Sequence, residues 1–138
     1  MPDNEFFLDT SGLYALMAPN DPAHARAVEW MKLAANERRL AVVSDGVLSE
    51  TATLLMARRI PHLAQAFFEM VEKSRALRVV YVEPPRFEQA KRLFLKHFDQ
   101  QFSFVDCCSF VLMKEFGLQA ALTKDHHFQQ MGFNAVLI

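Results

Sequence analysis

The sequence predicts a three-layer α/β/α fold, with a central, mainly parallel sheet of four to five short strands covered by helices on both faces. Three observations carry that reading. The strand candidates are short and apolar throughout rather than alternating, as strands buried on both faces must be. Between them lie segments with apolar residues three and four apart, the mark of amphipathic helices. Strand and helix patterns take turns along the chain, which favours parallel pairing through helical crossovers. The 138 residues are one domain's worth, and residues 1–138 are read as a single domain.

Residues 5–9 (EFFLD) read as the first buried strand, and residues 10–17 as a short helix. Residues 18–22 form a loop rich in turn formers, with Pro22 suited to a first helical position, where a missing N–H costs nothing. Ala27, Val28, Met31 and Ala35 then recur at helical spacing as far as Glu37. Residues 40–43 (LAVV) are the second strand. Ser44 suits the N-cap of a helix presenting Val47, Thr51, Leu54 and Leu55. Pro61 breaks that helix, and the next carries Leu63, Ala66, Phe67, Met70 and Val71. Residues 77–82 (LRVVYV) are the third strand. Pro84 and Pro85 open a helix bearing Phe87, Ala90 and Phe94. Ser103 and Asp106 frame the start of another, with Val105, Cys108, Leu112 and Phe116 on its apolar side and Gly117 at its end. Residues 120–123 (AALT) are a fourth strand. Residues 126–131 make one or two helical turns closed by Gly132, and residues 135–138 (AVLI) are a final edge strand.

Composition excludes several classes. The net charge of -1 gives no global positive field for nucleic acid. Basic residues pair locally, as Arg38-Arg39, Arg58-Arg59 and Lys91-Arg92; such pairs touch phosphates or, more ordinarily, are solvated helix ends. Cys107 and Cys108 are adjacent, so on a helix they point about 100° apart and form no ordinary disulfide. Buried thiols in a reducing compartment are the expectation. The start MPDNEFF lacks the basic stretch and apolar core of a signal peptide, and no apolar run approaches the roughly 18 residues of a membrane helix. A soluble, cytoplasmic protein with no membrane partner is expected. No glycine-rich phosphate loop is visible, and with only 4 Gly a dinucleotide fingerprint is excluded. The 13 Phe exceed what length alone suggests; most belong in the core, and the surplus suits a subunit contact.

The chemistry is sought beyond the carboxyl ends of the strands, where sites form in open parallel sheets. Asp9 closes the first strand and Asp125 lies just past the fourth, so both point to one end of the sheet. Glu50 lies in the first two turns of its helix at the edge of the apolar stripe, where a partly desolvated carboxylate wants a cation. Asp106 opens an apolar helix, with Ser109 one turn on. Each acid also has an ordinary role: Asp9 as a helix cap, Glu50 reaching solvent or an arginine, Asp106 in a capping box with Ser103, Asp125 as a turn or cap residue. Their combination weighs against four ordinary roles.

The ordered pattern Phe-Leu-Asp9-Thr-Ser, Ser-Glu50, Phe-Val-Asp106-Cys-Cys-Ser109-Phe, and Leu-Thr-Lys-Asp125-His-His-Phe with Gly132-Phe133 resembles the PIN-domain nucleases. Within them it is similar to the VapC-type toxins of bacterial toxin–antitoxin pairs, over nearly the whole chain. The resemblance implies a PIN-like fold whose Asp9, Glu50, Asp106 and Asp125 line one acidic, catalytic, metal-binding pocket. It places supporting hydroxyls at Ser11 and Thr123, with Ser109 nearby. It implies Mg²⁺ or Mn²⁺, an RNA substrate, a small antitoxin protein and a homodimer. Many relatives carry a further acid where this chain has His127, which puts a second tightly held metal in doubt. His126 and His127 contact substrate or, more ordinarily, are exposed turn residues. Zinc is not expected, because His and Cys lack ligand spacing and carboxylates suit harder cations.

The expected reaction is metal-assisted hydrolysis of a phosphodiester by in-line attack of water, without a covalent intermediate. A non-catalytic module that holds RNA or protein is the competing class, and a phosphatase or DNA nuclease would use the same metals.

Overall fold

The structure, a computed structural model, describes residues 4–138. Its strands are β1 (Glu5–Leu8), β2 (Leu40–Ser44), β3 (Leu77–Val80), β4 (Ala120–Leu122) and β5 (Asn134–Ala135). They form one sheet in the order β3-β2-β1-β4-β5, and every pairing is parallel. Phe6, Phe7 and Leu8 of β1 are buried on both faces, as are Ala41, Val42 and Val43 of β2, which explains their unbroken apolar runs.

The helices are α1 (Thr10–Met17), α2 (His24–Asn36), α3 (Asp45–Ala57), α4 (Pro61–Lys73), α5 (Pro84–Lys96), α6 (Phe104–Glu115) and α7 (His126–Gln130). Between α5 and α6 lies a single 3-10 turn, Phe98–Gln100. Most contacts fall within two groups of the larger helices: α1 packs on α2 and α3, and α3 on α4, whereas α5 packs on α6; α3 also meets α6. The chain runs outward from β1 to β3, then returns to β4 on the other side of β1. Right-handed crossovers therefore place α1–α4 on one face and α5–α6 on the other. Among the described residues no helix is long and apolar enough to cross a membrane.

Three boundaries differ from the sequence expectation by more than one residue, each through an identifiable side chain. Pro22 does not open α2. Asp21 instead accepts the backbone N–H of Ala23 at 2.8 Å and forms a turn that delays the helix to His24. The third strand stops at Val80 rather than reaching residue 82, because Asp45 at the start of α3 takes the Val82 N–H at 3.0 Å and draws that segment off the ladder. The final strand is Asn134–Ala135, not residues 135–138. Val136 and Leu137 still donate their N–H groups to Ala121 and Thr123, but Arg26 takes both of their carbonyls, at 3.3 and 3.0 Å.

Two of the three basic pairs fall at helix ends, whereas Lys91-Arg92 lies within α5, with Lys91 3.1 Å from Glu88. Arg39 lies over Trp30 at 4.9 Å and Phe6 at 5.4 Å, and Arg58 over Tyr14 at 5.7 Å. Arg38 and Arg59 adopt positive φ where α2 and α3 end. Their guanidinium stems and backbones serve helix termination and aromatic packing.

Two glycines make contrasting demands. A Cβ on Gly12 in α1 would stand 1.9 Å from the Leu122 carbonyl oxygen, a backbone atom that cannot step aside. A Cβ on Gly46 in α3 would meet nothing nearer than 3.7 Å. Gly12→Ala is expected to cost about 3 kcal/mol in urea unfolding, the upper part of the overpacking range. Gly46→Ala should be neutral or stabilising by up to about 1 kcal/mol, the helix preference of alanine over glycine. Equal effects would contradict the close approach of α1 to β4.

Candidate active site

The site is built where β1 and β4 end side by side. The Asp9 N–H donates to the Leu122 carbonyl at 3.3 Å, so Asp9 and Thr123 leave the sheet as neighbours. The Thr123 hydroxyl donates to Asp9 Oδ2 at 2.7 Å, and the Ser11 hydroxyl reaches the same oxygen at 3.3 Å. Ser11 Oγ and Thr123 Oγ1 lie 3.1 Å apart, and each also accepts a backbone N–H, from Lys124 and Asp125 respectively. Asp9 does not cap α1 with its side chain. Its carboxylate belongs to this hydroxyl cluster.

Asp106 and Asp125 approach from α6 and α7. The capping box at the head of α6 is real: Asp106 receives the Ser103 N–H at 3.1 Å, and Ser103 receives the Asp106 N–H at 2.9 Å. Asp125 is likewise the N-cap of α7, accepting the His127 N–H at 2.9 Å. These ordinary roles coexist with proximity to one another. Asp106, Asp125 and His127 each offer a donor atom, and the three atoms lie within 4.8 Å of one another.

The electrostatics follow from burial and crowding. Burial pushes Asp9 from 3.8 up to about 7, and the nearby charges of Asp106 and Asp125 add to the rise against the opposing Thr123 hydrogen bond. Burial also raises Asp106, with Asp125 adding to it and the Ser103 N–H and His127 opposing. Lys124, beside Asp125 in the chain, does not relieve this crowding: its ammonium is held by Asp21 at 2.8 and 3.0 Å. Asp21 is correspondingly held below the ordinary carboxylate range.

Three sequence expectations need correction. Glu50 is exposed rather than partly desolvated, and among the described residues no hydrogen bond or ion pair ties it to the three aspartates. Its place on α3 turns its carboxylate to water. Ser109 is buried, but its hydroxyl donates to the Val105 carbonyl at 3.0 Å and so serves its own helix. His127 is not an exposed turn histidine. Its Nδ1 lies 3.4 Å from Asp106 Oδ2 and 3.3 Å from Asp125 Oδ1, with no aligned hydrogen bond, while His126 is exposed. The spacing Asp125-x-His127 was the available signal, because the first turn of α7 carries residue 127 back over its own N-cap.

The donor set fits a hard or borderline divalent cation: carboxylate oxygens in a buried cluster, one imidazole nitrogen, and no paired lysine or arginine among these contacts. Thiol nucleophiles are absent here in chemical terms, since burial pushes Cys107 and Cys108 to about 11 and keeps both protonated at neutral pH.

A parallel α/β domain with acids gathered at the carboxyl end of its central strands defines the class, and the chain belongs to the PIN-domain family, whose model matches residues 6–134. Among its relatives is the 23S rRNA-specific endonuclease VapC20 of Mycobacterium tuberculosis, in strains CDC 1551 and H37Rv. Each is 35% identical over 127 residues, covering 92% of this chain and 94% of the relative. The crystal structure of that VapC20, described as a sarcin–ricin-loop-cleaving toxin, superposes with TM-score 0.82 at 34% identity, over 93% of this chain and 95% of the other. VapBC2 of Rickettsia felis bound to a promoter DNA fragment (TM-score 0.67, 10% identity, 95% and 96% covered) shares the fold. So does FitAcB of Neisseria gonorrhoeae (TM-score 0.66, 17% identity, 94% and 95% covered).

The raised Asp9 makes a signed prediction for metal-free protein. Between pH 3.8 and about 7 the folded chain keeps a proton on Asp9 that the unfolded chain has released. Folding is therefore progressively disfavoured as pH rises through that window, and the cost is complete above it. In the presence of chelator, Asp9→Asn should raise the melting temperature at about pH 8 and leave it nearly unchanged at about pH 4. A variant no more stable than wild type at the higher pH would contradict the buried, crowded carboxylate.

Proposed function

We propose that this chain is a divalent-metal-dependent endoribonuclease that hydrolyses RNA phosphodiester bonds, and that it is the toxin of a toxin–antitoxin pair. The observation that carries the chemistry is the convergence of Asp9, Asp106 and Asp125, where burial first and the neighbouring carboxylates after it raise the Asp9 carboxyl to about 7. The observation that directs it to RNA is 35% identity to a 23S rRNA endonuclease over 92% of the chain. The sarcin–ricin loop of ribosomal RNA is accordingly the first substrate to try, a looped RNA whose phosphates are accessible.

Asp106 and Asp125, with Asp9 beside them, would hold Mg²⁺ or Mn²⁺. When bound, such an ion offsets phosphate charge and lowers the pKa of a bound water. Thr123 and Ser11 fix Asp9 through Oδ2. Asp106 is held in register by the Ser103 N–H. Positioning of this kind, rather than a protein nucleophile, is what in-line attack by water requires. Glu50 is retained as the fourth acid. It lies on α3, whose N-terminus leaves β2 at the same end of the sheet, and its exposed carboxylate is free to turn toward bound ion or RNA.

A short antitoxin that covers the acids, and homodimerisation through exposed aromatics such as Phe68, Phe87 and Phe98, complete the reading. Sedimentation of the free chain and co-purification with the product of a neighbouring gene address these two partners.

Cleavage of a sarcin–ricin hairpin in Mg²⁺ or Mn²⁺ is expected, with none in chelator. Asp106→Asn should lower the rate by roughly 100-fold or more, the scale of losing a positioned catalytic carboxylate. Glu50→Gln should cost less, about tenfold, as expected for an outer contact. Retention of hairpin binding without any cutting by the wild type would favour the non-catalytic module. Cutting of DNA or of a phosphomonoester in preference would reassign the substrate class.

A further inference from the structure

His127 is held by its surroundings in one orientation. Its ring meets Phe102 edge-on at 5.0 Å between centroids, and Phe102 is itself braced by Phe110 at 5.2 Å. Its backbone N–H fixes Asp125 Oδ1, the same oxygen that its Nδ1 approaches. That Nδ1 is shielded from solvent and has no hydrogen-bond partner, although two carboxylate oxygens stand 3.3 and 3.4 Å away. A buried polar atom in that condition is unusual. As an N–H it is misaimed at both oxygens. As a lone pair it faces two negative groups and is repelled by them. A cation among the three donors removes the conflict, because a nitrogen lone pair and two carboxylates then share one attraction. The donors already lie within 4.8 Å of one another, a spread that one ion can bridge.

We infer that His127 binds the cation directly through Nδ1, making a mixed oxygen–nitrogen site that prefers first-row transition cations such as Mn²⁺ over Mg²⁺. This rests on the metal site of the proposed function and says which ion that site selects. Imidazole is a softer donor than carboxylate and adds affinity for transition metals, while Mg²⁺ gains little from it. The tautomer is thereby set: Nε2 carries the proton, on the side of the ring away from the aspartates.

Pulsed EPR of Mn²⁺-loaded protein reads nitrogen ligation directly through ¹⁴N coupling. The expected result is coupling in the wild type that persists in His126→Gln and disappears in His127→Asp. Calorimetry on the same proteins should show the Mn²⁺-to-Mg²⁺ affinity ratio falling by roughly tenfold in His127→Asp, the scale on which a change of metal-site partner acts. Mn²⁺ bound at the aspartates without ¹⁴N coupling in the wild type would overturn the inference and make His127 a counter-ion of Asp106 and Asp125, with the nuclease reading intact. Binding that Asp9→Asn and Asp106→Asn leave unaltered, or no binding at all, would overturn both. His127→Asn provides a check should the added acid unfold the chain: it too should lose the imidazole signal while the wild-type spectrum stands on its own.

Discussion

The 2.7 Å hydrogen bond from Thr123 to Asp9 joins residues 114 positions apart, and the site depends on the strand order that makes it. β1 lies at the centre of the sheet with β4 as its immediate neighbour. Only that adjacency lets the last residues of both strands meet. The Thr123 oxygen also accepts the Asp125 N–H, and Ser11 accepts the Lys124 N–H. A pair of hydroxyls therefore ties together the end of β1, the start of α1 and the turn into α7. The small side chains around this knot are required by its tightness: with Gly12 against the Leu122 carbonyl, α1 can approach β4 closely enough for Ser11 to reach Thr123.

Holding that knot in a buried place has an electrostatic consequence. Hydroxyl donors favour the ionised form of Asp9, yet desolvation and two neighbouring aspartates outweigh them and lift it to about 7. Local cations do not settle the balance. Lys124 is spent on Asp21, and in that pair it also pins the turn ahead of α2 to the loop after β4. Arg58 and Arg39 lie over aromatic rings elsewhere. The fold thus gathers negative charge while directing its own positive charge away, an arrangement whose natural complement is an external cation.

Legibility in the sequence tracked how local each feature is. The buried strands and the helix starts at Ser44 and Ser103 are written in contiguous residues, since burial on both faces and N-cap hydrogen bonds act within a few positions. Two boundaries failed where a distant side chain intervened: Asp45 on the residue after Tyr81, and Arg26 on the carbonyls of Val136 and Leu137. At the site, Asp9 and Asp125 were legible as strand-end acids, because topology alone sends them to one end of the sheet. Glu50 was read as half-buried from the edge of an apolar stripe, but helical periodicity fixes direction on a helix and not how much protein covers it. His127 was missed because its surroundings are assembled by Phe102 and Asp106, about twenty residues away along the chain and visible only in space.

Volume and chemistry point to different places on this molecule. A groove of about 720 Å³ lies between α5 and α6, floored by Leu93, Phe110, Val111, Met131 and Phe133. By size alone it would be the default binding site. Its titratable residues, however, are solvated or paired; Glu115, for one, is held by Arg86 at 2.7 Å. The acids lie elsewhere, at the ends of β1 and β4, with Asp9 and Asp106 buried and Asp125 partly exposed. That suits a polyanion approached from outside better than a small molecule enclosed within. A phosphodiester needs one exposed edge of the strand to reach the carboxylates, with the rest of the substrate remaining in solvent. Phe110 links the two regions, since it lines the groove and also braces Phe102 behind His127. The apolar groove wall is therefore the back of the site, and the packing that shapes one holds the imidazole of the other in place.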